Sequence, residues 1–261
     1  MTHDRDCPLC RSTSKTAAKQ YEGSAIGTCD RCGFLYVLNP ESDTASESQT
    51  EIDQARHTTI PAPRRRHYYI SNLIEQTVGK GAEVLEVGSG YGGLGKLLEK
   101  NQHTYLGFEP SDIRSKIASE GGLDVIDSIF DPSKVDQSFD AIVIDNVLEH
   151  VLNPTELITD AAEVVSDEGI VIVIVPSRYD LRRLHPGWND DNFWIPAAHI
   201  NFFRPTDLRR VYSKAGLRMI PFPCSSIEGK QSKDVLFKAK SLIDSTGYYP
   251  LSLYTYGTKA R

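Results

Sequence analysis

From Arg64 onward apolar residues recur at helical spacing, with Ile70, Leu73, Ile74 and Val78 on one face, which predicts a helix of about four turns. Beyond it, short apolar runs at 84–87, 105–108, 125–126, 139–145 and 170–175 read as strands, while 94–98, 113–118 and 157–165 carry the spacing of amphipathic helices. Strand and helix in alternation predict an α/β fold with a parallel sheet and helices on both faces. The helix near residue 154 has a clean start: Asn153 can cap it, Pro154 suits the first helical position and Glu156 stands where a capping box puts its acid. Leu208, Val211, Tyr212 and Ala215 mark another helix ended by Gly216, followed by a strand at 217–222, a helix at 231–245 and a last strand at 251–258. Residues 1–40 lack this alternation, and residues 41–63 are acidic, small and polar, closing with Pro61 and Pro63, so they read as a linker.

Composition narrows the picture. At 261 residues, with 39% hydrophobic and 25% charged positions, the chain has room for one dominant core and a small module. The longest unbroken apolar run, 170–175, is far short of the ~20 residues a membrane helix needs, and polar residues follow Met1, so a cytoplasmic protein without membrane contact is expected. A net charge of −6 disfavours broad binding to phosphate backbones, and nucleic acid is not the expected partner.

Four of the five cysteines form the pairs Cys7-Pro-Leu-Cys10 and Cys29-Asp-Arg-Cys32, eighteen residues apart. That spacing suits a four-thiolate zinc ribbon, because each Cys-x-x-Cys turn aims two sulfurs at one tetrahedron and the loop lets the turns face each other. Gly33 permits the tight turn after the second pair. Four thiolates leave the metal no open position, so the expected role is structural; redox-active or free thiols would explain one pair at a time. Cys224 stands alone.

The chemistry concentrates in Val84-Leu-Glu-Val-Gly-Ser-Gly-Tyr-Gly92, an apolar strand entering a glycine-dense turn ahead of a helix. Gly88 and Gly90, with Ser89 between them, let the backbone approach a nucleotide-like ligand, and the helix start offers free N–H groups. Glycine spacing alone also fits a dinucleotide site. Glu86 decides between them: an acid at the strand tip would repel a pyrophosphate but suits the ammonium of S-adenosylmethionine (SAM), which has no phosphate. Glu109, beside Pro110 and 23 residues after Glu86, ends the next strand where a carboxylate can take both ribose hydroxyls.

With 138–150, Gly169 to Pro176 and Ala198-His-Ile-Asn-Phe-Phe203, these motifs resemble class I SAM-dependent methyltransferases, specifically their small-molecule branch. The resemblance spans about residues 64–220 and implies three parts: a zinc ribbon (1–40), a linker (41–63) and a methyltransferase domain (64–261). It further implies a Rossmann-like seven-stranded sheet with one antiparallel strand, adenine near Asp127, Ser128 and Ile129, and cofactor or substrate contacts from Asp145 and Asn146. Methyl transfer needs positioning and water exclusion more than a covalent nucleophile, with a general base for a hydroxyl or amine acceptor. His150 and His199, both beyond strand ends, are the candidate bases.

Some quinone-pathway relatives hold a metal partly through an acid three residues before a Glu-His pair. That position here is Asn146, which weakens the case for a catalytic metal, with Asp145 and Glu149 as partial substitutes. The insertion 177–204 carries Tyr179, Trp188, Phe193 and Trp194 as a candidate acceptor lid, and Arg178, Arg182 and Arg183 as candidate partners for an acceptor phosphate or carboxylate. A small-molecule acceptor, with a sugar-like one among the candidates, is the leading expectation. An RNA base methyltransferase reading its substrate through the ribbon, and a catalytically silent SAM-fold binding module, are the alternatives.

Overall fold

The computed structural model describes residues 4–21, 24–40, 58–180, 198–221 and 252–259. A seven-stranded sheet is built from β4 (Glu83–Val87), β5 (Thr104–Phe108), β6 (Val125–Ile126), β7 (Phe139–Asp145), β8 (Val165–Pro176), β10 (Leu217–Pro221) and β11 (Ser252–Lys259), in the order β10-β11-β8-β7-β4-β5-β6. The β6, β5, β4, β7 and β8 strands run parallel, and β11 is antiparallel to both neighbours. This is the Rossmann-like methyltransferase arrangement the sequence predicts.

Alternation along the strands explains the layers. In β8, Ile170, Ile172 and Ile174 face the same core as α1 (Arg65–Thr77) and α2 (Gly93–Lys100), while Val171, Val173 and Val175 face the core of α4 (Pro154–Val164) and α5 (Pro205–Lys214). Both faces are thus covered, which is why the run is apolar throughout instead of alternating. The remaining helix, α3 (Asp112–Glu120), contributes Ala118 to the first core.

A second sheet orders as β1 (Lys15–Tyr21), β2 (Ser24–Cys29), β3 (Leu35–Val37) and β9 (Asn201–Phe202), all antiparallel. Its last strand belongs to the segment after β8, so the cysteine ribbon and the large sheet are stitched by backbone pairing, Leu35 to Phe202 and Tyr36 to Asn201. They also share a core: Leu9, Phe34 and Tyr36 pack in one cluster with Phe203, Leu208 and Tyr212. The aromatic step from Phe34 to Phe203 spans 5.3 Å.

One local expectation needs correction. Asn153 does occupy the position before α4, but its side chain makes no capping bond and instead accepts from Arg11 Nη1 of the ribbon at 3.3 Å. The ribbon competes successfully for that oxygen. Residues 231–245, Cys224 and the aromatic and arginine positions 182–194 lie outside the described residues.

Candidate active site

The parallel strands end at one edge, where β4 register pairs Val87 with Phe108 and with Ile144. Three acids predicted from the sequence, Glu86, Glu109 and Asp145, therefore come to the same edge. Between them Gly88, Gly90 and Gly92 all hold positive φ, at 73°, 56° and 82°. Gly88 has a second constraint, since a Cβ there would stand 2.5 Å from Val147 Cγ2. The turn is pinned underneath by Gly88 N–H and Ser89 N–H, which both donate to Phe108 O at 2.8 and 3.0 Å.

Glu86 is buried and accepts from the Tyr105 hydroxyl at 2.7 Å. Burial pushes its carboxyl up to about 8, against the help of that bond, with Asp145 and Glu109 adding to the rise. Such a group ionises readily only when a cation arrives. Glu109 is also buried; one oxygen accepts from Gly90 N–H at 2.7 Å and the other from Ser111 N–H at 3.0 Å. The carboxylate thus shapes the turn. Ser89 Oγ is buried with no hydrogen-bond partner among the described residues. Beyond β6, Asp127 is exposed, Ser128 half-buried and Ile129 72% exposed.

The sequence reading missed Arg66. It ion-pairs with Asp145 through Nε at 2.7 Å, and Asn146, its amide oxygen turned to the guanidinium, accepts from Nη1 and Nη2 at 2.8 and 3.2 Å. Burial still raises the Asp145 carboxyl, with Arg66 opposing. Asn146 holds φ 55°, so this turn is fixed in a left-handed conformation. A signal for Arg66 existed: Arg64-Arg65-Arg66 opens α1, whose first turn carries no acid. Cations at a helix N-terminus oppose the macrodipole, so such a run needs another reason.

His150 and His199 are brought together, their rings 4.9 Å apart at 64°. His150 Nδ1 lies 2.7 Å from Ala198 O. Because a carbonyl can only accept, Nδ1 carries the hydrogen and Nε2 keeps its lone pair. Burial holds the His150 pKa below the usual value, favouring the neutral ring. Glu149, almost fully buried, sits with Oε1 3.8 Å from His150 Nε2, and burial pushes its carboxyl up to about 8. Arg178, predicted as an acceptor contact, donates to Gly33 O of the ribbon at 3.1 Å.

At the ribbon, Cys7, Cys10, Cys29 and Cys32 gather their sulfurs within 4.8 Å of one another and form no disulfide. The separations Cys7–Cys32 and Cys10–Cys29 are 3.6 and 3.5 Å. A tetrahedral Zn–S bond of about 2.3 Å requires roughly 3.8 Å between sulfurs, so the four residues fit zinc. Gly33 takes φ 71° and its N–H donates to Cys29 O at 2.8 Å, the turn expected of the second pair.

A family model described as a methyltransferase domain matches residues 62–221. Among solved structures, the plantazolicin methyltransferase BpumL in complex with SAH is similar at 14% identity and TM-score 0.55, covering 75% of this chain and 82% of that one. The plantazolicin methyltransferase BamL, in complex with a triazolic desmethylPZN analog and SAH, is similar at 14% identity and TM-score 0.57, covering 82% and 90%. No curated protein matches the chain.

Proposed function

Since the chain belongs to the methyltransferase-domain family and is a SAM-dependent methyltransferase, we propose that it methylates a small-molecule acceptor bearing a hydroxyl, amine or nucleophilic carbon. The observation that carries this reading is the glycine turn held between two buried acids, Glu86 and Glu109. Glu86 would take the ammonium of SAM and Arg66, oriented by Asp145 and Asn146, its carboxylate. Glu109 and Pro110 would hold the ribose, and Gly88, Ser89 and Gly90 would line the turn with backbone and the orphaned Ser89 hydroxyl. Asp127, Ser128 and Ile129 would receive adenine, Ile129 burying its open apolar face. When bound, SAM supplies an electrophilic methyl group for in-line displacement.

The acceptor half belongs to His150 and His199. A neutral imidazole there can take the acceptor's proton or ligate a cation that lowers the acceptor's pKa, and both roles use the His150 Nε2 lone pair. One ribbon cation is unavailable to the RNA reading: Arg5 turns inward, onto Leu152 and Ile200, instead of presenting its charge to a phosphate backbone. We further propose the ribbon as a structural zinc module serving this domain.

Calorimetric titration with SAM, SAH and NADH tests the core of the proposal. One equivalent of SAM or SAH should bind and NADH should not. Preference for NADH, or no affinity for SAM, would end it. Transfer of labelled methyl from SAM to small-molecule extracts, compared with RNA, then separates the acceptor classes.

A further inference from the structure

Glu149, His150 and His199 do more than line the acceptor side. We infer that together they form a second metal site, for one first-row divalent transition-metal ion, separate from the four thiolates of the ribbon. One ligand atom from each residue lies within 4.8 Å of the other two. Two imidazole nitrogens and one carboxylate oxygen at about 2.1 Å from a shared ion would stand roughly 3.0–3.4 Å apart, so the 3.8 Å between Glu149 Oε1 and His150 Nε2 closes with a small side-chain rotation.

Three features prepare the set. The His150 Nδ1–H bond to Ala198 O fixes ring orientation and tautomer, the outer-shell device that directs Nε2 at an ion. Glu149 is 1% exposed, yet its Oε2 has no hydrogen-bond partner among the described residues. A buried carboxylate oxygen without a donor is costly, and a cation at this point removes the cost. The two segments carrying the ligands are locked together by backbone: Ile200 N–H and Asn201 N–H both donate to Glu149 O, at 2.8 and 3.1 Å, and Asn201 Nδ2 donates to Leu148 O and Val151 O at 3.1 and 2.7 Å. His199 is therefore delivered to the Glu149-His150 turn by the main-chain bonds of Ile200 and Asn201 on one side and by the His150 ring bond to Ala198 O on the other, and the ligands need little ordering on binding.

The donor types choose the metal class. Two nitrogens with one oxygen suit Fe2+, Mn2+, Co2+ or Zn2+ better than Mg2+ or Ca2+, which prefer oxygen throughout. Three protein ligands leave coordination positions open, and an oxygen of the acceptor is the kind of group that would fill one. That last step rests on the proposed methyl transfer, whereas metal binding itself does not.

The test uses the full chain with its cysteine site loaded with zinc, titrated with Co2+. One further equivalent should bind, with weak ligand-field absorption and no sulfur-to-cobalt charge-transfer band. Glu149→Gln and His199→Ala should each weaken this binding by at least 30-fold, with zinc content, far-ultraviolet circular dichroism and SAM affinity retained. Cobalt uptake confined to the thiolates, shown by an intense charge-transfer band, would overturn the inference. So would a further equivalent that survives both substitutions. If His199→Ala fails to fold, the near-isosteric Glu149→Gln decides. SAM affinity is read in the same samples, so loss of the cofactor reading registers separately from loss of the metal site.

Discussion

Replacing Arg5 by alanine should detach the ribbon from the acceptor side while leaving the cofactor side intact. Its guanidinium reaches across the interface: Nε donates to Val37 O at 2.8 Å, Nη1 to Leu152 O at 3.3 Å, and Nη2 to Ile200 O at 2.7 Å and Asn201 Oδ1 at 3.1 Å. One cation thus ties β3 to the turn after β7 and to β9. Hydrogen bonds to a charged group contribute about 1.5–3 kcal/mol each. The site is only partly buried, the long 3.3 Å bond counts for little, and Ile200 O keeps a second donor in Val37 N–H at 3.0 Å. Roughly 3 kcal/mol is the expected net loss, which for a chain of this size lowers Tm by about 6–12 °C. Arg5→Lys keeps the charge but cannot span four acceptors as the planar fork does, so it should recover less than half of the loss.

Scanning calorimetry measures the stability term, and amide exchange locates it. The Ile200 and Asn201 amides, bonded to Glu149 O, should lose protection. Affinity for SAM should change less than about twofold, since the residues proposed to hold it, on α1 and at the ends of β4 to β7, are not among the acceptors of Arg5 named above. A Tm within about 2 °C of wild type together with unchanged exchange at Ile200 would refute the strut role. Equal loss of SAM affinity would refute the independence of the two halves.

Other expectations follow from the same contacts. Glu109→Ala removes the acceptor for Gly90 N–H and Ser111 N–H along with the two proposed ribose bonds, and should weaken SAM binding by about 10²–10⁴-fold, at ~1.5–3 kcal/mol per ribose bond to a charged group, measured by calorimetry. Gly88→Ala should destabilise by about 2–3 kcal/mol in urea unfolding, combining the ~1–2 kcal/mol of left-handed strain with the contact to Val147. The Glu86 carboxyl sits at about 8 in the fold against an ordinary 4.5, so the folded state binds the extra proton between those values. Its stability contribution is present below pH 4.5 and falls as pH rises through about 8, by up to about 1.4 kcal/mol per pH unit; Glu86→Gln should remove this part of the slope and leave the part that Glu149, raised over the same range, contributes. SAM, by bringing its ammonium, should release about one proton near pH 7, read as a dependence of binding heat on buffer ionisation enthalpy. Removing zinc with a strong chelator should expose the shared Phe34, Tyr36 and Phe203 core and raise the binding of an apolar dye.

The sheet and the cofactor side were legible because their signals are local. Each strand of β4 to β8 contains a short apolar run, and the glycine turn, Glu86 and Glu109 lie within one strand-helix-strand stretch whose backbone demands are written in residue type. The acceptor side is different. Glu149 and His150 are visible as a pair, but nothing near them in the chain says that Ile200 N–H and Asn201 N–H will cap Glu149 O and carry His199 beside them. Arg66 was hidden for a related reason, since its partners Asp145 and Asn146 come from a strand end about eighty residues away. The Asn153 side chain shows the opposite failure, where a valid local rule lost to a ribbon arginine 142 positions distant.

That contrast explains what the ribbon contributes. A two-residue strand such as β9 cannot hold itself against the sheet, because so few pairings do not offset the backbone entropy of ordering it. Here β9 gains an antiparallel partner in β3, the Val37 N–H bond to Ile200 O and the Arg5 fork, all delivered by a module whose own fold depends on four sulfurs converging. Order in the His199 segment is then linked to order at the cysteines, while the glycine turn keeps its own supports from Phe108 and Glu109. On the proposed reading, cofactor capture and acceptor positioning form separable units, joined at the turn that carries Asp145, Asn146, Glu149 and His150. Amide exchange should resolve them as two cooperative groups, with Ile200 opening alongside β3 rather than alongside β4.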